Sequence, residues 1–139
     1  MQATAERLKG LYGIADSRAA AAAGRSVVDL ARALARGGAS AVQLRMKGAG
    51  AGEMLRTARE VAALCREAGC LFIVNDRPDV AALAGADGVH LGQEDLPVEA
   101  ARRVLGPEAL CGVSTHDDEE LERALAAGAD YVGFGPVFA

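Results

Sequence analysis

The sequence predicts an α/β fold in which parallel strands alternate with helices, and a βα-barrel is the first candidate architecture. Short apolar runs and amphipathic helical patterns follow each other in strict alternation along the chain. A weak internal repeat supports the same organisation. The segment 85–92 (GADGVHLG) is echoed at 128–135 (GADYVGFG) and more faintly at 38–44 (GASAVQL), at spacings of 43 and 47 residues. Each copy places a helix end, a tight turn and a strand in one register, as a barrel requires.

Six apolar runs have the length of buried parallel strands. Between them, the clearest helix is predicted over 53–68, where apolar residues recur at helical spacing. Ser26 is expected to cap a helix that ends at Gly37 and Gly38, and Pro78 to begin a short helix that ends near Gly85. The alanine-rich stretch 19–23 is expected to be a surface connection or frayed turn. The predicted strands are 11–15, 41–44, 71–74, 88–91, 110–113 and 131–134, and further helices are expected at 97–105 and from 117 onward.

Length and composition indicate a single globular domain over residues 1–139. Apolar residues make up 51% of the chain and charged residues 24%, and no apolar run approaches the roughly 20 residues of a membrane helix. The first nine residues lack the hydrophobic region of a secretory signal, which predicts a cytoplasmic protein. Three cysteines without a C-x-x-C pattern predict reduced thiols. A net charge of −4 and 4% aromatic residues argue against nucleic acid as a partner.

Polar side chains follow most of the predicted strands. Because parallel strands end at the same edge of a sheet, and ligands bind at that edge in α/β folds, these residues are expected to surround one site. His90 has two open interpretations, either an inward-facing barrel residue bonded to its neighbours or a ligand contact. The residues expected around this site are the backbone of Gly133 and Gly135 together with the side chains of Gln43, Arg45, Lys47, Asn75, Asp76, Arg77, His90, Gln93, Asp95, Ser114, Thr115 and His116.

Two carboxylates beside two basic side chains, Arg45 and Lys47, indicate a phosphorylated ligand that is held partly through a metal ion. Mg²⁺ prefers one or two carboxylates together with phosphate oxygens and water, and Asp76 with Asp95 matches that preference. Glycine at a strand end, as at Gly133 and Gly135, lets backbone N–H groups approach a phosphate. A P-loop and a dinucleotide-binding motif are absent from the sequence, and its histidines and cysteines lack zinc-ligand spacing. The four acidic residues at 117–120 are better explained as complementing a helix dipole than as ligands.

Five motifs, in this order, resemble thiamine phosphate synthases. They are Q-L-R-x-K at 43–47, V-N-D-R at 74–77, D-G-V-H-L-G-Q-E-D at 87–95, G-V-S-T-H at 112–116 and D-Y-V-G-F-G-P-V-F at 130–138. The resemblance implies a TIM-type (βα)8 barrel, of which about six βα units are present in 139 residues. It also implies an enzyme of thiamine biosynthesis that joins an aminopyrimidine methyl diphosphate to a thiazole phosphate and releases pyrophosphate.

The same resemblance implies roles for individual residues. Gln43, Arg45, Lys47 and Asn75 would hold the pyrimidine and its diphosphate with help from Ser114, and Asp76 and Asp95 would carry Mg²⁺. The reaction implied is a dissociative substitution, in which pyrophosphate leaves first and the thiazole nitrogen captures the resulting cation. Arg45, Lys47 and Ser114 are the candidate catalytic residues.

Two alternatives remain open from the sequence. A sister family of thiazole tautomerases shares the strand-end histidine, here His116, but retention of Asp76 and Asp95 favours the synthase. The resembled family continues past G-P-V-F with two more βα units, so a barrel of six strands is expected to have open edges at 11–15 and 131–134. Three explanations are open: a fragment of a longer protein, strands supplied by another chain, or a degenerate relative. A domain that binds a phosphorylated pyrimidine without completing the coupling is therefore the second alternative, and a homo-oligomer is a further expectation.

Overall fold

A single parallel sheet of six strands organises the molecule, and the computed structural model describes residues 5–138. The strands lie side by side in chain order, and every neighbouring pair is parallel. The strands are β1 (Tyr12–Asp16), β2 (Ala41–Arg45), β3 (Leu71–Asn75), β4 (Gly88–Leu91), β5 (Leu110–Thr115) and β6 (Tyr131–Phe134).

Helices connect the strands and cover one face of the sheet. Their apolar sides pack on the outward-facing strand residues, such as Val42, Phe72 and Val89, and form the main core. A short 3-10 turn precedes β1 at Ala5–Leu8. The helices are α1 (Ser17–Ala22), α2 (Val27–Arg36), α3 (Ala51–Ala68), α4 (Pro78–Ala84), α5 (Val98–Leu105) and α6 (Asp118–Ala126).

The sheet is curled so that its first and last strands face each other. In a flat sheet with strands near 4.8 Å apart, residues on the first and sixth strands would be about 24 Å apart. The hydroxyl oxygens of Tyr12 on β1 and Tyr131 on β6 are instead 2.6 Å apart. The inner face between them holds a small apolar cluster of Ala41, Leu71, Ile73 and Leu110, below the polar residues. The fold is therefore an α/β half-barrel of six parallel strands.

The expectation that 19–23 is a connection was wrong, because this stretch lies mostly in helix α1. The missed signal is Asp16, whose carboxylate accepts hydrogen bonds from the backbone N–H groups of Arg18 and Ala19 and so caps the helix. The predicted cap at Ser26 is confirmed, since its hydroxyl accepts from the N–H of Asp29 at 3.1 Å.

Cys65, Cys70 and Cys111 are free and buried, as the sequence predicted. Burial raises the pKa of the Cys111 thiol, which keeps it in the protonated, unreactive form. Among the helices of residues 5–138, we find none that combines the length and apolar character needed to cross a bilayer.

Candidate functional site

A chain of hydrogen-bonded side chains runs across the inner face of the half-barrel, and we refer to it as the inner chain. The ring nitrogens of His90 lie 2.7 Å from Ser114 Oγ and 3.1 Å from the Tyr131 hydroxyl. Tyr131 contacts Tyr12, whose hydroxyl is 2.9 Å from one end of the Gln43 amide. The other end of that amide is 3.0 Å from the amide of Asn75. In order, the inner chain is Ser114, His90, Tyr131, Tyr12, Gln43 and Asn75.

Strand register explains why these six residues meet. Asn75 pairs with His90 across β3 and β4, and His90 is followed in the same row by Gly112 and Tyr131. Alternate residues of a strand point to the same face, so Gln43 on β2 and Ser114 on β5 also face inward. Burial is nearly complete at the centre, where Gln43 is 3% exposed. Burial also lowers the pKa of His90, so the ring is held neutral.

A cleft at the carboxyl ends of β2, β3 and β4 contains the predicted metal ligands, and we refer to it as the acidic cleft. Lys47 forms an ion pair with Asp76, and Asp95 lies beside both. Its volume is about 270 Å³. The lining residues are Met46, Lys47, Gly48, Ala49, Met54, Asn75, Asp76, Arg77 and Asp95.

Two carboxyl groups and one lysine set the electrostatics of the acidic cleft. Burial raises the pKa of Asp95, and the neighbouring carboxyl of Asp76 raises it further. The backbone N–H of Gly92 and the charge of Lys47 act in the opposite direction. Asp76 has a φ of +68°, an uncommon conformation for a residue other than glycine. Such strain is found more often at functional sites than elsewhere.

Arg45 does not point into the acidic cleft. Its guanidinium forms an ion pair with Asp16 on the neighbouring strand, where the two residues are in register. The expectation that Arg45 and Lys47 converge on the two acidic side chains therefore describes Lys47 in this structure and not Arg45. Only one nitrogen of the Arg45 guanidinium, Nη1, is in this ion pair.

Other residues that the sequence singled out lie further from the cleft. His116 is exposed, and its Nδ1 lies 2.9 Å from Glu120 Oε2, so it takes no part in the inner chain. Gln93 donates to the backbone carbonyl of Ser114 at 2.7 Å. Gly135 donates its N–H to the carbonyl of Thr115 at 3.1 Å, which leaves that N–H unavailable to a phosphate in this conformation.

Sequence reasoning missed Tyr12 and Tyr131 as members of the site. Each lies near the amino end of its strand, which is usually the structural side of a βα fold. Their hydroxyls meet only because the sheet is curled, and local patterns do not reveal curvature. A signal was nevertheless present, because they are the only two tyrosines in the sequence and both fall in predicted strands.

The family model described as thiamine monophosphate synthase matches residues 11–139. The thiamine-phosphate synthase of Anaeromyxobacter dehalogenans is 53% identical over 133 residues, which are 96% of this chain and 56% of that protein. That of Methanoregula boonei is 50% identical over 129 residues, or 93% of this chain and 59% of the relative.

Solved structures give the same result. A thiamine phosphate pyrophosphorylase from Pyrococcus furiosus is 40% identical, and the match has a TM-score of 0.86 over 96% of this chain and 63% of that one. The present chain thus spans between half and two thirds of the length of these relatives. With a family match over nearly its whole length, the chain belongs to the thiamine monophosphate synthase family.

Proposed function

We propose that this chain acts as a thiamine phosphate synthase. It would couple 4-amino-2-methyl-5-(diphosphooxymethyl)pyrimidine to 4-methyl-5-(2-phosphooxyethyl)thiazole and release pyrophosphate. The observation that carries the proposal is the convergence of Lys47, Asp76 and Asp95 in one cleft beside Asn75. Family membership supports the same reaction. We further propose that the six-stranded half-barrel is part of an eight-stranded barrel, that the protein is cytoplasmic and that it assembles into a homo-oligomer.

The residues of the acidic cleft fit a magnesium ion. Asp76 and Asp95 are neighbouring carboxyl groups, and burial together with Asp76 raises the pKa of Asp95; such a pair is a donor set that Mg²⁺ completes with water and phosphate oxygens. Asp76 and Asp95 would hold the ion. When bound, it would neutralise charge on the diphosphate and so make pyrophosphate a better leaving group.

The remaining residues of the site have roles that follow from their charge and position. Lys47 borders the cleft and is free to turn from Asp76 to a diphosphate oxygen, where it would stabilise the charge that grows as the C–O bond breaks. Arg45 would add a second positive charge through the guanidinium N–H groups that do not bind Asp16. Gln43, Asn75 and Ser114 would hold the pyrimidine, with Gly133 and Gly135 bordering it at the end of β6. The thiazole nitrogen then forms the new bond to the methylene carbon that pyrophosphate has left.

A product assay with both substrates and Mg²⁺ tests the proposal. We expect Asp76→Ala to lower kcat by about 10² or more, the usual scale for one lost electrostatic group. Arg45→Ala is expected to show a loss of similar size. Asp29→Ala is the matched control, since Asp29 is an exposed carboxylate on α2 that pairs with Arg32. Turnover near the wild-type level in Asp76→Ala would refute the metal-binding role.

A second candidate function is a domain that binds the pyrimidine diphosphate without coupling it. The residues proposed to hold the pyrimidine, Gln43, Asn75 and Ser114, all lie on the described strands of the half-barrel. Calorimetry separates the two functions, since the binding domain would titrate the pyrimidine diphosphate in the presence of Mg²⁺ and form no thiamine phosphate. A thiazole tautomerase is less well supported, because His116 is held by Glu120 away from the inner chain.

A further inference from the structure

The orientation of one amide sets the direction of the whole inner chain. With the Asn75 nitrogen toward Gln43, its side-chain oxygen would face both carboxylate oxygens of Asp76 at 3.0 and 3.1 Å. Asp76 is an acceptor because Lys47 donates to it. Two acceptors in contact repel each other, whereas a half-turn of the Asn75 amide places its nitrogen against Asp76 as a donor. Which end of an amide is the oxygen and which is the nitrogen is assigned from such hydrogen-bond partners.

The half-turn of Asn75 obliges the Gln43 amide to turn as well. After it, the oxygen of Asn75 lies 3.0 Å from the Gln43 atom that faces it, and that atom must be a nitrogen to donate. The Gln43 oxygen then faces the hydroxyl of Tyr12 at 2.9 Å and accepts from it. The donor in this contact is therefore the tyrosine.

The direction continues because each hydroxyl has only one proton. Tyr12 donates to Gln43, so the contact with Tyr131 is possible only if Tyr131 donates to Tyr12. Tyr131 has then used its proton, and the contact with His90 requires the imidazole to donate from Nδ1. The neutral ring carries a single N–H, so its Nε2 accepts from Ser114 Oγ.

We propose that the inner chain is a one-way hydrogen-bond relay from Ser114 to the Asp76 carboxylate, in which Tyr12 and Tyr131 are positioning residues that fix His90 in its Nδ1–H form. The relay orients the Gln43 amide at one end and the Ser114 hydroxyl at the other. Its consequence for binding rests on the proposed function. Because the Ser114 hydroxyl donates a hydrogen bond to His90 Nε2, only its lone pairs are available to a ligand. Ser114 would therefore accept from an N–H donor such as the exocyclic amino group of an aminopyrimidine.

The tautomer of His90 tests the relay without substrate. The chain has only two histidines, so ¹⁵N-histidine labelling gives two imidazole spin systems, and His116→Gln assigns them. In long-range ¹H–¹⁵N correlation spectra at a pH well above the ordinary histidine pKa, we expect His90 to carry its proton on Nδ1. A ring protonated on Nε2, alone or together with Nδ1, would overturn the relay, whether or not the protein forms thiamine phosphate.

Removal of one hydroxyl tests whether the direction is imposed from the Asn75 end. Tyr12 contacts His90 only through Tyr131 in the inner chain. In Tyr12→Phe, Tyr131 loses its acceptor and can donate to Nδ1, so we expect the major tautomer of His90 to change to Nε2–H. A packing role alone would leave the tautomer unchanged, and that result would contradict the proposal. Should Tyr12→Phe fail to fold, the wild-type tautomer still decides.

Discussion

The small size of Gly112 determines how closely the first and last strands of the sheet approach each other. A Cβ atom at Gly112 would lie 2.1 Å from Cζ of the Tyr131 ring, a distance that real contacts do not show. Glycine at this position therefore allows the Tyr131 hydroxyl to reach both Tyr12 and His90. The inner chain depends on this missing side chain as much as on the residues that form it.

We expect Gly112→Ala to lower the free energy of unfolding by about 1–3 kcal/mol, the usual cost of overpacking a core. The matched control is Gly52→Ala on helix α3, where a Cβ would meet only the Arg56 side chain, at 3.6 Å. This second variant is expected to be neutral or more stable by about 0.5 kcal/mol, because alanine restricts the unfolded chain. Urea denaturation measures both, and equal effects would contradict the steric account.

Asp16 links the helix cap of α1 to the charge of Arg45. Hydrogen bonds from Ala19, Arg45 and Arg18 lower the pKa of Asp16. A carboxyl whose folded pKa is depressed contributes stability above its unfolded pKa and loses it as the pH falls through the folded value. The part of this contribution that depends on the charge is therefore complete at neutral pH and is lost in acid, where the protonated carboxyl still offers an oxygen to the cap.

We expect Asp16→Ala to lose about 1 kcal/mol of stability at pH 7, the typical effect of a lost N-cap. The difference from the wild type should shrink as the pH falls below the ordinary aspartate range. Asp16→Asn is the control, because asparagine keeps the cap acceptor but lacks the charge that pairs with Arg45, so its stability should approach that of the wild type in acid. Denaturation at a series of pH values gives the comparison, and a difference that does not shrink in acid would contradict the role assigned to the charge.

At the scale of elements, the internal repeat has a physical basis that its sequence did not reveal. Asp87 precedes β4 and accepts from the backbone N–H of Phe72 on β3 at 2.8 Å. Asp130 precedes β6 and accepts from the N–H of Cys111 on β5 at 2.8 Å. In both copies, the aspartate of the Gly-Ala-Asp motif accepts a hydrogen bond from the backbone N–H of the second residue of the preceding strand. The motif thus fixes the register of each new strand against its neighbour.

We expect Asp87→Ala to destabilise the protein by about 1–3 kcal/mol, because it leaves the buried N–H of Phe72 without an acceptor. Glu108→Ala serves as the control, since Glu108 is an exposed acidic residue in the loop before β5. Hydrogen exchange of the Phe72 amide gives a local measurement alongside global denaturation. Protection of that amide equal to the wild type would show that the aspartate does not hold the register.

Local patterns were sufficient for most of the elements but not for all of their contacts. The six strands, the clearest helix and the Ser26 cap were predicted because apolar spacing and capping residues act within a few positions. Helix α1 was missed because the capping role of Asp16, which directly follows the predicted strand 11–15, was not recognised. The pairing of Arg45 with Asp16 was missed because it depends on the register of β1 against β2. Local sequence patterns do not show how two strands are aligned in the assembled sheet.

At the scale of the whole molecule, the two outer strands have free edges within the described residues. In the sheet of residues 5–138, β1 pairs only with β2, and β6 pairs only with β5. Ile14 lies on β1 and is 51% exposed, although it sits on the inner face beside Gln43. Unpaired strand edges with exposed apolar side chains are templates for association with another chain.

We therefore expect the 139-residue chain to self-associate in a concentration-dependent way, and Ile14→Lys to weaken that association because a lysine on an edge strand opposes pairing. Leu83→Lys is the matched control, since Leu83 is 63% exposed on α4, which packs on the outer face of the sheet. Sedimentation velocity over a range of concentrations measures the effect. If Leu83→Lys weakens association as much as Ile14→Lys, general surface hydrophobicity and not the β1 edge is responsible. A monomeric wild type at all concentrations would contradict the role of the edge altogether.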